Sequence, residues 1–308
     1  MIVFVSIILI LYLYSWNVRP TYSFGRDKVV VLKCILSLFI VAHHLQLYRG
    51  IMPMFHSWGA PIVSMFLFIS GYGLITQYEL KGESYLSSFI SQRIGKALLL
   101  PFLLAVSINL IAFGNASLPN SWFVFAILYG YFSFYVLAKY VKRAVVLNLF
   151  LLCLLYVFVI KGLGFDRCWY ISIMAFPFGL YYKMKEEKIK VLWSSPIRYY
   201  LTVPLSLCAL ALCVKSANEY LFLLCYILIP FIGANLWTRI NIKKCGNVIV
   251  SFLAGISYEI YLVHGLVMNL IHDYISSNVL FVIFTYLLTI LLAYCLNRMK
   301  QVLLAIRK

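Results

Sequence analysis

Charge is the scarcest property of this sequence. Only 11% of its 308 residues are charged, and nine Asp and Glu stand against 26 Lys and Arg. Ordinary soluble domains carry about 25% charged residues. Hydrophobic residues make up 64% of the chain and the mean hydropathy is +0.95. A soluble protein of this length has no core large enough to hide so much apolar surface, so a soluble domain is excluded and lipid must act as solvent. Metal-ligand and disulfide spacings are lacking too. None of the eight cysteines forms C-x-x-C, and most lie inside apolar runs, where they read as small buried hydrophobes. No metal is expected. Long linkers, low-complexity segments and internal repeats are also missing. The formal charge of +17 would suit nucleic acid. Here, however, the cations come in short clusters between apolar runs, as in the loops of a membrane protein facing anionic headgroups. Lipid, and no nucleic acid, is the expected partner.

Apolar runs of helical length fall near 1–16, 29–47, 58–77, 97–113, 121–138, 144–160, 168–182, 199–214, 220–237, 247–268 and 279–296. A spanning helix needs about 20 such residues. The fold class expected is an all-α polytopic membrane protein of about 10–11 transmembrane helices. Residues 1–16 lack a basic leader and a small-residue cleavage site, so they read as a short retained helix rather than a signal peptide. The run at 168–182 is short and holds Pro177 and Gly179, which predicts a kinked or re-entrant segment. With eleven spans, 21 of the 26 cations fall in alternate loops, beginning with the loop after the first span. Arg49, Lys161, Arg167 and Lys215 fall in the opposite set, and Lys33 lies within the second run. The positive-inside rule then places the N-terminus outside, the C-terminus in the cytoplasm, and the chain as a multi-pass protein of the plasma (inner) membrane.

Ionisable groups inside spans are costly and point to function. The second run contains Lys33, His43 and His44. Lys33 and His44 are eleven residues apart, which places them within about 20° of one helix face and about 16 Å apart along the axis. His43 points about 80° away. A snorkelling lysine and an interfacial histidine pair would be the bland alternative. In the penultimate run, Ser257, Tyr261 and His264 stand on one face, with His264 near the outer end at about the depth of His44. Glu259 faces about 140° away and is expected to anchor a helix contact. Trp122 and Trp169 open the fifth and seventh runs on the outer side, with Arg167 beside the latter; singly, each tryptophan reads as part of an aromatic belt. Arg93 and Lys96 precede the fourth run on the cytoplasmic side. Gly71 and Gly73 in the third run permit close helix packing.

Taken in order, these segments resemble the acyltransferase-3 family of integral membrane acyltransferases. Lys33-Cys-Ile-Leu-Ser-Leu-Phe-Ile-Val-Ala-His-His44 is similar to its basic-residue, ten-spacer, histidine motif, with lysine where arginine is commoner. Phe68-Ile-Ser-Gly-Tyr-Gly-Leu74 resembles a frequent family phrase, and Arg93-Ile-Gly-Lys96 its Arg-x-x-Arg motif. Ser257-Tyr-Glu-Ile-Tyr-Leu-Val-His264 resembles its late Ser-Tyr-x-x-Tyr-Leu-x-His signature. The lysines keep the charge of arginine but lose its planar fork. The resemblance covers about residues 28–296. It implies an acyltransferase-3-like membrane domain over 29–308, preceded at 1–28 by an extra membrane helix and basic loop, with no fused esterase-like domain.

The resemblance further implies transfer of an acyl group, usually acetyl from acetyl-CoA, to a hydroxyl of a cell-envelope or exported glycan or a lipid-linked sugar. Acyl transfer to a hydroxyl needs a base, and histidine suits the task. His44 is the candidate, as base for direct attack or as transient acyl carrier, and Lys33 would attract the donor's negative charge. Arg93 and Lys96 would hold CoA phosphates. His264, Trp122, Trp169 and Arg167 are candidates for the acceptor side. The competing class is a transporter or flippase for a glycan or lipid-linked sugar, which predicts broken helices in matching halves. A homo-oligomer is left open.

Overall fold

The computed structural model describes residues 24–215, 218–240 and 248–306, together with Ile10, Tyr12 and Leu13. The helix expected over 1–16 and its basic loop therefore lie almost wholly outside the described residues. In lipid every backbone N–H and C=O must be satisfied within the segment, and the apolar runs answer this by winding into helices. No strand occurs among the described residues. In chain order the helices are α1 (Arg26–Arg49), α2 (Gly59–Lys81), α3 (Glu83–Ser87), α4 (Ile90–Phe113), α5 (Trp122–Val141), α6 (Val145–Gly162), α7 (Ala175–Met184), α8 (Glu186–Ser194), α9 (Pro196–Lys215), α10 (Glu219–Arg239), α11 (Val248–Gly255), α12 (Ser257–Ile271) and α13 (Asn278–Ile306). Eight of them (α1, α2, α4, α5, α6, α9, α10 and α13) are long and apolar enough to cross a bilayer, and α11 with α12 makes a ninth span if their 71° bend is one broken crossing. The chain is an all-α multi-pass membrane protein.

Two runs differ from simple spans. The 168–182 segment holds a 3-10 turn, Arg167–Trp169, and only the ten-residue α7. Helix α7 starts at Ala175, so Pro177 sits in its first turn, where a missing N–H breaks no helical bond. The 247–268 run is broken at Ile256, between Gly255 and Ser257, so the late signature begins a fresh helix rather than riding on a continuous one.

The chain divides into two compact units. The first comprises Met1–Val29, Ala60–Leu86 and Tyr129–Lys244. Within it α2 meets α7 backbone to backbone. A Cβ on Gly71 would run into the carbonyl oxygen of Phe176, and one on Gly179 into that of Phe68. The Phe68–Leu74 phrase therefore has a packing meaning: small residues let two helices touch where lipid offers no hydrophobic drive. The Tyr72 hydroxyl donates to Glu186 Oε1 at 2.9 Å, and Lys183 Nζ to Glu186 Oε2 at 2.7 Å, which satisfies the buried carboxylate. Tyr12 packs with Trp193 and Tyr199 and donates to the Tyr200 carbonyl at 2.8 Å.

The second unit comprises Val30–Gly59, Ser87–Leu128 and Cys245–Lys308. Tyrosine hydroxyls tie its helices by capturing backbone carbonyls: Tyr286 that of Leu38 at 3.0 Å, and Tyr258 that of Leu98 at 3.1 Å. Glu259, buried, accepts from Asn297 Nδ2 at 2.9 Å and pairs with Lys300, clamping α12 to α13. Helix α1 ends at Gly50, whose φ of +67° turns the chain into a loop that folds back over the helix. Helix α4 ends in the same manner at Gly114, φ +65°, whose N–H bonds to the Leu110 carbonyl.

Candidate functional site

The second unit gathers three of the chain's five histidines into one chain of rings. His44 of α1 lies 4.7 Å, centroid to centroid, from His264 of α12, and His43 lies 5.0 Å from His44. Tyr261 stands 5.7 Å from His264, and Phe123 of α5 4.8 Å from Tyr261. All three histidines are buried, His264 completely. The sequence spacing explains the meeting. His44 and His264 occupy comparable depths on helices of one unit, and Tyr261 and His264 share a face.

The rings are not equivalent. His264 Nδ1 lies 3.2 Å from the Ile260 carbonyl oxygen, which can only accept, so Nδ1 carries the hydrogen. Nε2 then holds the lone pair, buried and with no hydrogen-bond partner. His43 Nδ1 donates in the same way to the Phe55 carbonyl at 2.9 Å. The Phe55 loop is itself held by the edge-to-face cluster of Phe39, Phe55 and Trp58. A Cβ on Gly59 would strike the His43 ring, so that glycine leaves room for the imidazole. His44 makes no hydrogen bond to a described residue. It is therefore the ring of the three whose nitrogens are uncommitted. Tyr261 is fixed from outside its own helix, since its hydroxyl donates to the Asn120 carbonyl at 2.7 Å. Asn120 adopts a left-handed φ of 61°, which asparagine tolerates better than most residues.

At the other end of α1, Lys33 lies within electrostatic reach of Arg93 on α4. Neither Lys33 nor Lys96 forms a hydrogen bond or ion pair with a described residue. Arg93 is a like charge that weighs on Lys33, and an anion between them would relieve that repulsion. The segment that carries Arg93 and Lys96, Ile90–Leu99, is wound as a π-helix. Such winding is rare and often marks functional positions.

The remaining candidates are placed as follows. Trp122 belongs to the second unit and makes a ring contact with Phe123, which in turn meets Tyr261. Arg167 and Trp169 belong to the first unit. Arg167 Nε lies 4.0 Å from Glu219, its guanidinium stands over Phe222, and Glu219 also takes Lys161 at 2.5 Å. Trp169 packs on Phe165, and its carbonyl accepts from the Tyr156 hydroxyl at 3.2 Å. The sequence reading missed the polar residues around the ends of α1, α4 and α12, among them Asn109, which is buried in α4. The available signal was an amide inside an apolar run, which the search for ionisable groups passed over.

Comparison with known proteins agrees with the sequence motifs. A family model described as an acyltransferase domain, of the acyltransferase-3 type, matches residues 104–298. That stretch holds Trp122, Arg167, Trp169 and His264, while Lys33, His44, Arg93 and Lys96 precede it. No curated protein and no solved structure matches the chain.

Proposed function

The chain belongs to this acyltransferase family, and from that premise we propose that it moves an acetyl group from acetyl-CoA to a hydroxyl of a cell-envelope or exported glycan. The observation that carries the reading is the His44–His264 ring pair in a unit whose α1 also presents Lys33 beside Arg93. One end of α1 thus offers bases and the other offers cations, separated by about 16 Å.

The roles follow from the chemistry. Arg93, Lys96 and Lys33 attract the phosphates of the donor. His44, whose nitrogens are uncommitted, takes the proton of the acceptor hydroxyl as its oxygen attacks the thioester carbonyl. The new C–O bond forms, the C–S bond breaks, and the CoA thiolate leaves to collect a proton. The His264 ring, 4.7 Å from His44 and with its Nε2 lone pair unused, can stabilise the imidazolium formed at His44. An acyl-histidine relay uses the same residues in two steps. Trp122 offers an aromatic face for sugar packing near this cluster. Arg167 and Trp169 are acceptor candidates of the first unit.

The transporter reading expects broken helices in matching halves. Among the described residues one bent pair occurs, α11 with α12. The deciding experiment reconstitutes the protein in nanodiscs with radiolabelled acetyl-CoA and glycan from the host envelope. Label transferred to glycan is expected. In cells, deletion should remove an acetyl-sized mass increment from the surface glycan. Loss of the whole glycan from the surface, with no labelled product in nanodiscs, would give the protein to the transporter class.

A further inference from the structure

Beyond the histidine rings, the second unit holds an open cleft of about 560 Å³. Tyr48 of α1, Asn109 of α4, Asn115 and Ser117 of the following loop, Asn269 of α12 and Asp273 line it. Tyr48 stands four residues beyond His44, and Asn269 five beyond His264. The lining therefore begins about 6 to 8 Å along the two helix axes from the ring pair.

The side chains of this cleft are fixed at one end and open at the other. Asn109 Nδ2 donates to the carbonyls of Asn115 at 2.6 Å and Ser117 at 3.2 Å. Asn115 Oδ1 accepts from the Ser117 N–H at 2.8 Å, and Asn269 Oδ1 accepts from the Tyr48 hydroxyl. This leaves the amide groups of Asn115 and Asn269 as donors, and Asn109 Oδ1 and the Asp273 carboxylate as acceptors. The Ser117 hydroxyl can serve as either. None of these atoms has a hydrogen-bond partner among the described residues. Sugar hydroxyls are donors and acceptors at once, and a wall that offers both suits neighbouring hydroxyls on a ring. Phe113, also in the lining and 41% exposed, adds an apolar face for the C–H side of a sugar.

The charge of the cleft narrows the ligand. No lysine or arginine lines it; Asp273 contributes one negative charge and His272 an imidazole. The nearby Arg49 is engaged by the ring of Phe281, at 3.8 Å, and by the carbonyl of His272. We infer that this cleft holds the acceptor and is selective for neutral or amino sugars, rejecting uronic acids and phosphorylated sugars. The inference rests on the acyltransferase reading above for the word acceptor, and on the lining alone for the sugar class.

The test is binding to the full chain in phosphatidylcholine nanodiscs, which avoids sugar-headed detergents. The probes are mannotriose, chitotriose, the chitosan trimer and trigalacturonate. The wild-type protein is expected to bind at least one neutral or amino trimer and not trigalacturonate. Asp273→Ala should weaken that binding about tenfold or more, the usual consequence of removing a charged hydrogen-bond acceptor. Asp273→Lys should reverse the preference and admit trigalacturonate, an outcome that misfolding does not imitate. No binding by any neutral or amino trimer, trigalacturonate binding as tight as theirs to the wild type, or unchanged selectivity in both Asp273 variants overturns the inference. If the trimers bind and the reversal occurs, yet no labelled acetyl reaches any glycan, the enzyme reading fails and the sugar cleft stands.

Discussion

Alanine at His44 removes the ring that lies against His264 and whose nitrogens are uncommitted. Acyl transfer is expected to fall by about 10² to 10⁴, the range typical for loss of a general base, and further if His44 is an obligatory acyl carrier. His43→Ala should be milder, since that ring is already committed to the Phe55 carbonyl. His264→Ala should change acceptor use and turnover more than donor affinity. The measurement is initial rates against acetyl-CoA and against glycan for variants of equal membrane abundance. An active His44→Ala beside an inactive His43→Ala would contradict the geometry. At Lys33, arginine should be tolerated better than methionine if charge is what matters, and equal losses would point to shape instead. The line Lys33–His44 was legible because helix periodicity is arithmetic. The partner ring was legible only in depth, because its position around α1 depends on tertiary packing. Asn115, Asn269 and Asp273 were not legible at all. Their meaning comes from one loop and two helix ends meeting in space, and no local spacing records that.

Helices were the most readable level, and their interruptions the least. Ten of the eleven runs are matched by helices among the described residues, because an apolar stretch of span length has few other ways to satisfy its backbone in lipid. The break between α11 and α12 was missed, since Gly255-Ile256 breaks neither apolarity nor length. The π-winding of α4 was invisible for the same reason. It matters for function, because Arg93 and Lys96 sit on it. Neutralising both with glutamine is expected to weaken acetyl-CoA binding, more at 20 mM than at 500 mM salt, since screening already weakens an exposed anion site at high ionic strength. Unchanged donor affinity at both concentrations would remove the pair from the site. A second expectation concerns the crossing of α2 and α7. Gly179→Leu forces a side chain against the Phe68 carbonyl and should destabilise the first unit by about 1–3 kcal/mol or displace α7. Gly73→Ala should be silent, because nothing lies within 4 Å of a Cβ there. Thermal unfolding of the two variants in the same nanodiscs compares them, and equal midpoints would refute the close approach.

Orientation in the membrane depends on the charge pattern of the entire chain rather than on any one helix. The positive-inside rule weighs short loops close to the span ends, and 21 cations against four is a large asymmetry for loops of this length. The helix bounds sharpen which residues can report it. Lys183 in the last turn of α7 and Lys185, Lys188 and Lys190 between α7 and α9 form a basic region that is expected in the cytoplasm. Residues 272–277, between α12 and α13, carry no lysine or arginine and are expected outside. Lys188 and Ser276 are both exposed, so a cysteine at either is open to reagent. In intact cells a membrane-impermeant maleimide should label Ser276→Cys and leave Lys188→Cys untouched until the cells are opened, each read against the labelling of the parent chain. The same outcome bears on mechanism. The ring pair and the cleft lie toward the C-terminal ends of α1 and α12, whereas Lys33 and Arg93 lie toward the opposite end of α1. Ser276 outside would therefore present the cleft to an exported glycan and the cations to a cytoplasmic donor. Labelling of Lys188→Cys in intact cells, with Ser276→Cys protected, would reverse both approaches. An exported acceptor would then have to meet the cationic end of α1, which the proposed division of labour does not survive.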